Sequence, residues 1–213
     1  VLIFTKNHML KKFFSKNKQI KIYKLEDFSN LFLNFKNKKF LIDPNFLPLK
    51  IYDILKENDL SYQFINCPVD KFKAIKNPLE LTGFKNAHLK DGLAILKFLF
   101  WFEKNVNSKK LTEICLSQKL FDIRSLDKTF ICESFATISA FEENGAIIHY
   151  KANICSNKKI DKNSLYLIDT GAHYLDGTTD TTRTLLVGKA KSQMLDDYTL
   201  VLKGHISIAS ASF

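Results

Sequence analysis

Arginine is nearly missing from this chain. Of 213 residues 32 are basic, and Arg124 and Arg183 are the only arginines among them, the rest being lysine. Proteins that read nucleic acid cluster their basic side chains and favour arginine for its bidentate fork. Here lysine is scattered along the whole sequence beside Asn, Phe and Ile. The net charge of +10 therefore reads as a composition bias and a solvated basic surface, and no nucleic-acid partner is expected. Metal-type cysteine spacing is missing too. Cys67, Cys115, Cys132 and Cys155 include no C-x-x-C pair, so they are expected as reduced, buried, small side chains of a cytoplasmic protein. No apolar run is long enough to cross a membrane, which takes about 20 residues. The most apolar, 93–102, contains Lys97. No charged region followed by a long apolar one marks a signal peptide, and no membrane partner is expected. The first residue is Val rather than Met, so the sequence need not start where translation does.

What remains is a chain that suits one or two domains and can bury a substantial core. Residues 1–73 alternate strand and helix patterns. VLIF, QIKIYKL, KKFLID and SYQFIN read as strands, with helical spacing at 27–37 (Phe28, Leu31, Phe32, Phe35) and 49–57 (Ile51, Ile54, Leu55). That order implies a small α/β domain with some parallel pairing, and no polar residues in it converge on a site. A second domain is expected over 74–213. Asn77 caps a long helix, with Pro78 at its first position and Glu80 three residues after the cap. Phe84, Leu89, Leu93, Leu96 and Phe100 mark its course to about Lys104, and the aromatics of 98–102 are read as core. Another helix starts near Thr112 (Ile114, Leu116, Leu120).

The chemistry concentrates in Leu165 to Gly188, LYLIDTGAHYLDGTTDTTRTLLVG. Two apolar strand-forming runs flank an Asp-Gly pair, a strong hairpin signal. Asp169 and Asp180 stand in a strand context with no packing reason to be there, and a partly buried carboxylate must be paired, hydrogen-bonded or bound to a cation. A two-residue loop at Asp176-Gly177 would pair Tyr174 with Thr179, His173 with Asp180 and Asp169 with Thr184. Asp169 then lies four residues, roughly 13 Å, from Asp180's row. A bulge or a longer loop must close that gap, with Gly171 the expected place for a bulge, and spacing alone leaves a shared metal open.

The segment 169–184, DTGAHYLDGTTDTTRT, resembles the first metal-ligand signature of the M24 metallopeptidases, the pita-bread family, and within it the Xaa-Pro aminopeptidase pattern D-[ST]-G-A-x-Y-x-D-G-T-T-D-x-T-R-T. Phe135-Ala-Thr-Ile-Ser with Asn144-Gly-Ala-Ile-Ile-His-Tyr150 upstream, and Leu202-Lys-Gly-His-Ile206 downstream, extend the likeness over roughly 77–213. The resemblance implies a creatinase-type α/β N-terminal domain over 1–73, followed by the first half of an α+β pita-bread catalytic domain. It implies metal-assisted release of the N-terminal residue from peptides with proline second, and a homodimer when intact. Two divalent metal ions would be held, manganese being the family's usual choice and cobalt or zinc also suiting one His among carboxylates. Asp169 would chelate one ion and Asp180 bridge both, with Arg183 bracing them. His149, following an apolar strand Ala146-Ile-Ile, would face the substrate as proton or oxyanion donor, and Phe135 would line the pocket. By sequence alone His149 reads as a hydrogen-bonded core residue, and for Arg183 a plain surface position is the alternative. His88 and His173 are read as non-catalytic, and His8 and His205 take no role.

Two departures stand out. Ala136 replaces an Asp or Pro common in related sequences. No H-G-x-G-H segment occurs, so the family's remaining His and two Glu ligands are missing, and the chain is expected to be an inactive fragment. A prolidase-type dipeptidase, a creatinase-like hydrolase without metal and a non-catalytic protein- or histone-binding module are the competing readings. The two aspartates favour the peptidase.

Overall fold

The computed structural model describes residues 1–7, 9–14, 16–107, 110–161 and 163–212, with Met9, Lys11 and Leu31 described by backbone alone; His8 and Phe213 lie outside the described residues. Contacts divide the chain into two units, 1–75 and 76–213. In the first, β1 (Leu2–Thr5) and β2 (Lys21–Lys24) pair in parallel across α1 (Met9–Phe13). After α2 (Phe28–Leu33), β3 (Phe40–Ile42) and β4 (Tyr62–Phe64) pair in parallel across α3 (Leu49–Glu57), and α4 (Pro68–Ala74) closes the unit. Parallel neighbours need such crossovers because a tight turn can only reverse the chain. The short helices α1 and α4 have too few turns for a periodic signal, and the sequence pattern does not foretell them.

The second unit opens on α5 (Pro78–Asn105). Asn77 Oδ1 accepts the Glu80 N–H at 2.9 Å, and Glu80 Oε2 accepts the Asn77 N–H at 2.8 Å. This reciprocal cap satisfies two of the donors left over at a helix start. The face that α5 buries is not the one its large side chains suggest. Leu89, Leu93, Leu96 and Phe100 are each more than half exposed, while Ala87, Asp91, Ala94, Ile95, Phe98 and Phe102 are buried. The small residues let neighbouring backbone come close, and Asp91 is carried inside because it has a partner there. In α6 (Glu113–Arg124) the buried face is Glu113, Leu116, Leu120 and Arg124.

These two faces cover one side of a three-stranded antiparallel sheet in the order β10 (Thr181–Val187), β7 (Ser164–Thr170), β6 (Ile138–Phe141). Alternation along β7 is strict. Ser164, Tyr166, Ile168 and Thr170 are buried, and Leu165, Leu167 and Asp169 are half-buried on the other side. Phe98, fully buried, joins Phe102, Leu116, Leu120, Phe141 and Tyr166 in the core, each Phe or Leu side chain contributing about 1.5–3 kcal/mol by burial. A second antiparallel sheet, β5 (Phe130–Glu133), β8 (Ala172–Tyr174) and β9 (Gly177–Thr178), continues from the same hairpin, and α7 (Ser192–Ala209) follows. No described helix is long and apolar enough to cross a membrane.

Two sequence expectations fail here. Residues 146–148 form no strand: a 3₁₀ turn over Glu142–Ala146 runs into a bend. The buried Asn144 amide donates to Glu113 Oε1, the Tyr150 hydroxyl and the Ser156 carbonyl, which folds this loop onto itself rather than onto a sheet. The cysteines are free, as expected, but Cys115, Cys132 and Cys155 are exposed and Cys67 half-buried.

Candidate metal centre

The hairpin that carries both aspartates has a register two residues away from the expected one. Tyr174 pairs with Gly177 and His173 with Thr178, so the turn is Leu175-Asp176. Thr170 pairs with Thr181 and Asp169 with Thr182. Asp180 is thus two positions from the partner of Asp169, roughly 7 Å along the strand, rather than four. No bulge is needed. The hairpin passes from one sheet to the other at Gly171 and 179–180, and the pairing resumes in the same register on both sides.

Gly171 is what makes that passage possible. A Cβ built on it would lie 2.1 Å from the Thr179 carbonyl oxygen and 2.2 Å from Ser134 Oγ. Backbone approaches backbone there, as only glycine permits.

Inward and outward residues then alternate through the site. Thr170 and Thr179 are buried; their neighbours Asp169 (half-buried) and Asp180 (exposed) turn to the opposite face. Asp169 Oδ1 accepts the Thr182 hydroxyl at 2.8 Å. Two anionic oxygen donors on one face suit a hard or borderline divalent cation. Among the described residues no third His, Cys, Asp or Glu gathers with them, so the pair could be part of a ligand set but not a closed one.

Beneath this face lies a polar core that the sequence reading missed. Arg124 donates from Nε to Asp91 Oδ1 at 2.7 Å and from Nη2 to Asp91 Oδ2 at 3.0 Å, and neither side chain is more than 2% exposed. Arg124 Nη1 also reaches Thr170 Oγ1 at 2.6 Å and the Gly171 carbonyl at 3.2 Å. Asp91 in turn accepts the Tyr174 hydroxyl at 3.0 Å and the Thr179 hydroxyl at 2.7 Å. Burial first, and then the Asp91 carboxylate, push the Tyr174 hydroxyl well above its ordinary range, so it stays a donor. The signal for this pair was present: a lone carboxylate at the 87–91–94–98 spacing of α5, and one of the two arginines at the 116–120–124 spacing of α6.

The other predicted residues fall as follows. Phe135 is half-buried in the bend between β5 and β6; its neighbour Ser134 donates its N–H to the Gly171 carbonyl and its hydroxyl to the Thr179 carbonyl, which ties that bend to the hairpin. His149 is exposed in the left-handed region at φ 56°, not the core histidine that its apolar neighbours suggest. Its loop is anchored by buried Glu113, which accepts the Phe141 and Lys158 N–H groups, the Asn144 amide and the Tyr150 hydroxyl. Arg183 is exposed and pairs across from Ile168, on the opposite side of the strand from the aspartates. Its Nη1 donates to the Thr182 carbonyl, so any brace it gives Asp169 runs through Thr182. His173 Nδ1 bonds the Thr178 hydroxyl and His88 Nδ1 the Phe84 carbonyl.

Known proteins resemble this chain in sequence and fold. The sequence profile of Metallopeptidase family M24 matches residues 82–213. Xaa-Pro aminopeptidase 1 of Dictyostelium discoideum is 42% identical over 180 residues, covering 83% of this chain and 28% of that protein. The probable Xaa-Pro aminopeptidase P of Coccidioides posadasii is 48% identical over 151 residues, covering 70% of this chain and 25% of its own length. The crystal structure of X-prolyl aminopeptidase from Caenorhabditis elegans, a cytosolic enzyme with a di-nuclear active site, superposes with a TM-score of 0.85 at 34% identity, over 97% of this chain and 35% of that one. The prolidase of Pyrococcus furiosus has the same fold, with a TM-score of 0.75 at 19% identity over 95% of this chain and 57% of its own. The chain spans about a quarter to a third of the length of these aminopeptidases. With the profile matching more than half of its residues, over the whole hairpin that carries Asp169 and Asp180, this chain belongs to metallopeptidase family M24 and has the family's pita-bread type of mixed α/β fold.

Proposed function

We propose that the full-length protein is a metal-dependent aminopeptidase that releases the N-terminal residue from peptides with proline in the second position. The observation that carries this reading is that Asp169 and Asp180 share one face, with Asp180 two positions from the strand partner of Asp169, in a chain 42–48% identical to Xaa-Pro aminopeptidases. In it, residues 1–73 form a creatinase-type N-terminal domain, the rest supplies the first half of the catalytic domain, and the active protein is a cytoplasmic homodimer. Two divalent cations, manganese in preference to cobalt or zinc, would activate a water and polarise the scissile carbonyl. Asp169 and Asp180 hold that site with anionic oxygens, Asp180 from the more exposed position. His149 donates a proton from its imidazole to the reacting group, and its loop is held in shape by Glu113. Phe135 forms an apolar wall against the substrate. Residues 1–213 alone supply only the two aspartates and hydrolyse nothing.

The substrate preference has a physical basis. An Xaa-Pro bond is a tertiary amide without an N–H, and its ring fixes φ. A site that must bond that N–H rejects it, so a dedicated pocket is required. The test is an assay of the full-length protein with Mn²⁺ on Arg-Pro-Pro, Ala-Pro and Met-Ala-Ser. Release of arginine from the tripeptide is expected. Cleavage of Ala-Pro alone would turn the assignment to a prolidase, and release of methionine to a methionine aminopeptidase.

A further inference from the structure

The buried ion pair touches the hairpin at the residues next to each aspartate, and nowhere else in the second unit does a charged pair lie so deep among the described residues. Arg124 binds Thr170, the neighbour of Asp169, and the carbonyl of Gly171. Asp91 binds Thr179, the neighbour of Asp180, and Thr179 Oγ1 also accepts the Ala172 N–H at 3.0 Å. Thr137 Oγ1 adds a second side-chain contact on Thr170 at 2.7 Å. Because side chains alternate, a bond that fixes the inward residue fixes the outward aim of the next.

We infer that Arg124 and Asp91 are positioning residues that clamp the two strands of the hairpin in register, so that Asp169 and Asp180 are presented to a cation at a fixed separation. The inference rests on the metal reading above. An ordinary core would hold this hairpin with apolar contacts. Here the passage between sheets at Gly171 leaves the 171 carbonyl and the 170 and 179 hydroxyls inside, and the bidentate Arg–Asp pair satisfies all three at once. The fork is planar and rigid, so it transmits position in a way a lysine cannot. Partners behind the ligands commonly set metal affinity by 10–100-fold.

The test uses the full-length protein, with Mn²⁺ titrated by calorimetry and thermal unfolding followed for each variant. Arg124→Lys and Thr170→Val are expected to weaken Mn²⁺ binding by about 10–100-fold. Leu116→Ala, a core truncation in α6, is expected to lower Tm and leave the affinity of the folded protein unchanged. Should Arg124→Lys fail to fold, Thr170→Val and Thr179→Val, each removing one hydroxyl, decide the matter. Hydroxyl variants that bind Mn²⁺ like the wild type would overturn the clamp, as would Leu116→Ala losing affinity in step with them. A wild type that takes up no Mn²⁺ would overturn the metal reading and the clamp together.

Discussion

Asp180→Asn in the full-length protein abolishes metal loading and hydrolysis, whereas His149→Ala leaves the metal in place and slows turnover by about 10²–10⁴-fold. The asparagine keeps the size and hairpin position of Asp180 but removes its charge and one of its anionic oxygens. A partner behind a ligand changes affinity by 10–100-fold, so loss of the ligand itself is expected to exceed about 100-fold. The exposed setting of Asp180 means that the substitution leaves no buried group unpaired, so the Tm of the metal-free protein should hardly move, while the stabilisation that bound metal gives the wild type is lost. His149 stands outside the hairpin, in a loop held by Glu113, and its removal takes away a proton donor without touching a carboxylate. Elemental analysis of the purified variants beside steady-state kinetics checks both. An Asp180→Asn protein that remains fully loaded would refute the role given to Asp180, and a His149→Ala protein with wild-type kcat would refute that of His149.

Asp91→Ala costs about 3–5 kcal/mol of folding stability, because it leaves the Arg124 guanidinium buried without its counter-charge. Domains have only about 5–15 kcal/mol in all, so most of the stability of the second unit is at stake. Four donors lose their acceptor at once: two from Arg124, the Tyr174 hydroxyl and the Thr179 hydroxyl. Combining Asp91→Ala with Arg124→Met should cost less than the two single losses added, since an uncompensated charge no longer remains. Urea unfolding of the three variants measures this through their midpoints at constant slope. A loss below about 1 kcal/mol for Asp91→Ala would mean that Arg124 reaches water, contrary to its burial.

How much of this was legible beforehand varies with the kind of signal. The caps of α5 and α6 and the parallel strands of the first unit follow from local chemistry, and local chemistry can be read. Asn77, Pro78 and Glu80 announce a helix start whatever packs on it. The face of α5 could not be read in the same way. Leu89, Leu93, Leu96 and Phe100 give the stronger apolar stripe, yet the alanine side is buried, because which face turns inward is decided by what has to approach it. The hairpin shows the same limit. Asp-Gly marks a turn, but the pairing runs through Leu175-Asp176, which leaves Thr179 two positions rather than four from the row of Thr170, both against the Arg124–Asp91 pair. Asp91 lies 83 and 88 residues before its partners Tyr174 and Thr179, and Arg124 lies 46 before Thr170, too far for any spacing rule. His149 failed for the converse reason: Ile147 and Ile148 look like strand residues, and the polar hold of Glu113 on the loop outweighs them.

Gly171 also bears on how the sequence can vary. In a library of all single substitutions selected for folding, position 171 should tolerate nothing but glycine, since even a methyl would collide with a carbonyl that cannot retreat. Gly92 and Gly204, where an added methyl meets nothing within 4 Å, should accept alanine freely. Gly83, where a Cβ would meet the Asp176 carbonyl oxygen at 2.2 Å, and Gly188, at φ 81°, should be as strict, so the fixed points would gather around the hairpin, and the two aspartates could drift in function without those points ever changing.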